Sequence, residues 1–62
     1  MKHFDEALIR AKEWSMDERN NIGQGIVTQS PTERENGEFS ICADCSAEEW
    51  IVAKFIDGKR IK

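Results

Sequence analysis

Sixty-two residues with a net charge of −3 allow one domain, 1–62, with a thin core, since a chain this short buries only about 60% of the surface its unfolded form exposes. The composition is 39% hydrophobic and 34% charged, polar without reaching the disordered extreme. There is no run of about eighteen apolar residues, which argues against a membrane span. Residues 1–53 carry five basic and eleven acidic side chains, whereas residues 54–62 carry four basic and one acidic. The acidic body argues against direct nucleic-acid binding, which works by neutralising phosphates. The opening MKHFDEALIR places acids and an arginine where a secretory leader would be apolar, so a cytoplasmic location is expected. A thin core also makes a homodimer a reasonable expectation.

Residues 4–20 read as an amphipathic helix. Phe4, Ala7, Leu8, Ala11, Trp14 and Ser15 recur at spacings of three and four. Asp5 suits the N-cap, with Phe4 and Ile9 as a hydrophobic staple, and Asn20, Asn21 and Gly23 suit the stop. Ile9 and Met16 fall off the apolar stripe, roughly 120–140° from Phe4 at 100° per residue. They are seven apart and share a face, so they form either two scattered surface hydrophobes or a strip for a partner or a second subunit.

A short β-branched strand follows at Ile26–Gln29, with Gly23 and Gly25 freeing the backbone to turn onto a sheet. The stretch SPTERENG has Ser30 as N-cap, Pro31 at the first helical position, Glu33 closing a capping box and Asn36-Gly37 as a left-handed stop. A tight Asn36-Gly37 hairpin is disfavoured because it would set Glu35 against Glu38. Glu38–Ala43 alternates as a second strand, with Phe39, Ile41 and Ala43 on one face and Ser40 and Cys42 on the other. Residues 46–58 read in two ways. A helix would use Ser46 as N-cap and Gly58 as stop. A strand would use Trp50, Ile51, Val52, Phe55 and Ile56, with an Asp57-Gly58 turn leading to Lys59–Lys62. The strand reading is stronger, because those side chains spread around a helical wheel and Lys54 takes an apolar position. The fold class expected is α+β: one N-terminal amphipathic helix packed on a small three-stranded antiparallel sheet, αβββ, drawn as a meander.

Cys42-Ala43-Asp44-Cys45 is the one motif with recognised chemistry. In a continuous strand the two cysteines would face opposite sides and simply pack. As metal ligands they are half of a zinc site, which needs two further donors, such as the same pair from a second copy. A redox role would need a helix opening at Ser46 to lower a thiol pKa. No Gly-x-Ser-x-Gly is present, the single histidine, His3, lies near the start of the chain, and a solvated face accounts for the carboxylates. A non-catalytic protein is therefore expected.

The function expected is that of a small cytoplasmic binding module, a regulator or inhibitor of the size that phages and plasmids encode, which covers a surface of a partner protein. Ile9 and Met16 would be the apolar anchors. Glu33, Glu35 and Glu38 would face a basic partner surface. The alternative is a zinc-dependent structural or dimerisation module built on Cys42 and Cys45. Apart from that zinc, no cofactor is expected.

Overall fold

The computed structural model describes residues 2–45 and 47–62. Helix α1 (Phe4–Met16) buries Ala7, Ala11 and Ser15, with Phe4 and Leu8 packed beside them. The N-cap is His3 rather than Asp5: its backbone is extended and its carbonyl already accepts the Ala7 N–H at 3.0 Å. Asp5 and Glu6 therefore sit in the first turn, where the positive end of the helix dipole favours them. The expected staple does not form, because Phe4 is the first helical residue and packs on Phe39, ring centroids 5.2 Å apart.

The helix also stops four residues earlier than expected. Asp17 turns extended (φ −73°, ψ 133°), and the buried Asn20 ties down the loop that follows. Its amide donates to the carbonyls of Trp14 (2.8 Å) and Gln24 (2.7 Å), while its oxygen accepts from the N–H groups of Ile22 (3.2 Å) and Gly23 (3.3 Å). All of its polar valences are filled, which is what allows an amide to be buried here.

Strand β1 (Gln24–Thr28) is buried from Gly25 onward, as a strand covered on both faces should be. It is the centre of the sheet. β2 (Ser40–Cys42) pairs along one side, β3 (Ile51–Ile56) along the other, and β4 (Lys59–Arg60) extends beyond β3, every pairing antiparallel. The α+β class is as expected, but with four strands, and the meander is corrected: β1, not β2, is the middle strand. The chain leaves β2 opposite Ile26 and re-enters opposite Thr28, so the connection runs back along β1. A single 3₁₀ turn at Glu48–Trp50 is all that forms of the helical alternative; Ser46, its expected cap, lies outside the described residues. The strand reading holds from Ile51 on, and Asp57 (φ 50°) and Gly58 (φ 84°) make the expected hairpin turn with positive φ at both central positions.

The capping box forms as read. Helix α2 (Pro31–Asn36) has Ser30 and Glu33 bonded reciprocally and ends at Gly37 in the left-handed conformation (φ 69°). α2 links neighbouring antiparallel strands, and no Asn36-Gly37 hairpin forms.

Small residues build the core. Ala7, Ala11, Val27, Ala53 and Phe55 are buried together, with Ile41, Phe39 and Val52 against them. A β-bulge between Val27 and Thr28 leaves Val52 without a cross-strand partner. This turns two consecutive residues, Val52 and Ala53, toward the helix. Gly25 serves a purpose other than turning: a Cβ built there would lie 1.8 Å from the Ala11 carbonyl oxygen. Helix and sheet touch backbone to backbone at that point. Trp50, read from the sequence as a strand residue, instead ends the 3₁₀ turn and is 38% exposed.

Candidate functional site

Burying the small side of α1 leaves its opposite side to solvent. Ile9 is 59% exposed and Met16 55%. Around them stand exposed Asp5, Glu6, Arg10, Lys12 and Glu13; Glu6 pairs with Arg10 at 3.5 Å, both side chains open to water. The strip read from the helical spacing is therefore a surface feature of the fold.

Met16 marks where that strip meets the β3–β4 turn. A Cβ on Gly58 would fall 2.6 Å from the Met16 sulfur, so the thioether covers the bare glycine. The preceding residue, Ser15, fixes the same junction: its hydroxyl accepts the Gly58 N–H at 2.9 Å and donates to the Lys12 carbonyl at 2.6 Å. On the other side of the turn, the Asp57 N–H reaches the Gly23 carbonyl at 3.1 Å. Ile22, next to Gly23, is 51% exposed and adds a third apolar side chain at this end. Sequence reasoning passed over Ile22. The available signal was a lone β-branched residue in an otherwise polar turn, too weak to separate from chance.

The acidic candidates lie elsewhere. Glu33, Glu35 and Glu38 sit on α2 and its exit, at the end of the sheet where Ser40 pairs with Thr28. Met16 lies at the opposite end, beside the Asp57-Gly58 turn. The acids thus lie at the sheet end opposite Met16, on the side where Phe4 of α1 packs on Phe39.

Glu33 is also committed internally. One carboxylate oxygen accepts the Ser30 N–H at 3.0 Å, and the other accepts the Ser40 hydroxyl. These bonds, the Ser40 hydroxyl first, hold its carboxyl below the ordinary range. Glu38 contributes backbone bonds, its N–H to the Glu33 carbonyl (2.8 Å) and its carbonyl to the Gln29 amide (3.1 Å). Glu35 is exposed.

β2 ends at Cys42 and the chain bends at residues 43–44, so the strand geometry that would have pointed the two cysteines apart does not extend to Cys45. Both residues are half-buried and neither is in a disulfide. Cys42 lies opposite the buried Ile26, on the sheet face turned away from α1. Burial first, then Cys45, then the charge of Asp44, push the Cys42 thiol up to about 11. Among the described residues no group of three or more His, Cys, Asp or Glu side chains converges. His3 stands at the start of α1. No helix among them is long and apolar enough to cross a membrane. Comparison with family models, with curated proteins and with solved structures found no match.

Proposed function

We propose that this protein is a small cytoplasmic binding module, a regulator or inhibitor that acts by covering a surface of a partner protein with the outer side of α1. The observation that supports this reading is the exposure of Ile9 and Met16, each more than half open to solvent, with charged Asp5, Glu6, Arg10, Lys12 and Glu13 exposed on the same helix. Apolar anchors inside a charged rim are the usual anatomy of an interface. The rim carries both signs, and a partner surface that is apolar at its centre and of complementary charge at its edge fits it.

The test compares the wild-type protein with Ile9→Asp and Met16→Asp as baits in host extract, with circular dichroism to establish that each variant is folded. A partner held by the wild type, released by both variants and weakened by added salt supports the reading. Identical retention by all three baits means the strip is not the binding surface. Sedimentation of the isolated protein separates an outside partner from a second copy, since a homodimer through α1 would dissociate in the same two variants.

A further inference from the structure

The exit of α2 takes no part in the proposed surface. We propose that Asn36 is a self-modification site, at which the folded chain converts the asparagine to aspartate and isoaspartate through attack by its own backbone.

That reaction needs an uncrowded backbone nitrogen after the asparagine, a side-chain amide free to turn, and room for a ring. Asn36-Gly37 supplies all three. Glycine sets no Cβ beside the attacking nitrogen, and nothing lies within 4 Å of a Cβ built on Gly37. Asn36 is exposed, and its side chain is bonded to no other described residue. It is the last residue of α2, a six-residue helix in which no residue is buried. A helix so short is marginal without help. The help comes from the Ser30–Glu33 capping box at its start and from the Gly37 and Glu38 N–H groups, which both donate to the Glu33 carbonyl at its end. Local opening of this exposed turn releases the Gly37 nitrogen.

The Gly37 nitrogen then attacks Cγ of Asn36. The N–Cγ bond forms, the Cγ–Nδ2 bond breaks, and ammonia leaves with the former Gly37 amide proton, closing a succinimide. Water opens the ring at either of its carbonyls. Opening at Cγ gives aspartate; opening at the main-chain carbonyl gives isoaspartate, with an extra carbon in the backbone. One water is consumed, one ammonia is released, and no electron is transferred. Either product places a negative charge at the C-terminal end of α2, where the helix dipole disfavours it.

The fold withholds the other asparagines from this chemistry. The Asn20 amide is buried and donates to the carbonyls of Trp14 and Gln24. The Asn20 oxygen accepts the Ile22 N–H at 3.2 Å, which ties up the nitrogen that Asn21 would need, and Ile22 is itself β-branched and crowded there.

The experiment ages the full chain in warm, mildly alkaline buffer, with circular dichroism to establish that it stays folded, and then digests it with trypsin. Cleavage after Arg19, Arg34 and Lys54 isolates Asn36 in peptide 35–54 and puts Asn20 and Asn21 together in peptide 20–34. Peptide 35–54 should gain the mass of exchanging NH for O, split into two chromatographic forms, and accept a methyl group from an isoaspartate-directed carboxyl methyltransferase. Peptide 20–34 should stay unchanged. Ser30→Ala, which removes the cap of α2, should speed the conversion several-fold. An unaltered peptide 35–54, an equal gain in peptide 20–34 of the folded protein, or an unchanged rate in Ser30→Ala would overturn the proposal.

Discussion

A methyl group at Gly25 has nowhere to go. It would sit 1.8 Å from the Ala11 carbonyl oxygen and 2.7 Å from its carbon, backbone atoms that cannot swing aside. Gly25→Ala must therefore lift α1 off the sheet at its closest point, and the expected cost is about 2–3 kcal/mol, the upper part of the range for overpacked cores. Urea denaturation monitored by tryptophan fluorescence measures it. Gly37 is the contrast. Nothing lies within 4 Å of an added Cβ, but its φ of +69° is left-handed, so Gly37→Ala should cost only about 1 kcal/mol through backbone strain. A result in the reverse order would mean that the helix–sheet approach at Gly25 is looser than described.

Between elements, single polar groups hold the joints. The Ser15 hydroxyl connects the last turn of α1 to the β3–β4 turn, 43 residues away. Ser15→Ala leaves the Gly58 N–H without that partner, and the expected loss is about 1–2 kcal/mol, seen as a lower urea midpoint and as faster amide exchange at Gly58. At α2, the carboxylate of Glu33 serves both the capping box and Ser40. Its pKa is lower folded than the ordinary 4.5, so the folded state binds fewer protons there. That contribution is complete above the ordinary pKa and is lost as pH falls through the lowered one. Glu33→Gln should therefore be less stable than wild type at neutral pH, with the gap closing as pH falls below the ordinary carboxyl value and through the lowered one. A gap independent of pH would show that the charge of Glu33 contributes nothing.

For the molecule as a whole, the load-carrying side of α1 and its open side are distinct, and substitutions should respect the division. Ile9→Asp changes stability by about 0.5 kcal/mol or less, as surface substitutions do, whatever it does to binding. Met16→Asp, in contrast, removes the thioether over Gly58 and puts an acid in the last turn of α1, and should cost about 1 kcal/mol. Thermal denaturation checks this. A loss of several kcal/mol at Ile9 would place that residue in the folding core and remove it from the proposed surface. The acid response has a second source at the loop after α1. Asp17 is held at about 2, chiefly by its hydrogen bond from the Arg19 side chain, so its contribution is lost as pH falls from 3.8 towards 2. Arg19 is exposed and Asp17 half-buried, and salt should weaken the pair.

The parts of this structure legible in the sequence are those settled by neighbours along the chain. Ser30, Pro31 and Glu33 specify a helix start within four residues, Gly37 its stop, Asp57-Gly58 a hairpin, and the spacing of Ile9 and Met16 an exposed face. Each rests on backbone geometry or periodicity and needs no distant partner. What distant contacts decide was not legible. β1 lies between β2 and β3 because each pairs with it from a different side, which a linear reading of consecutive strands does not reveal. Gly25 looked like a hinge, but it is where the helix backbone touches the sheet. Trp50 read as a strand residue, but it ends a 3₁₀ turn at the surface. The Cys42–Cys45 pair shows the same division. Spacing alone left the thiols on opposite faces of a strand. The early end of β2, set by where its pairing with β1 stops, takes Cys45 out of that strand.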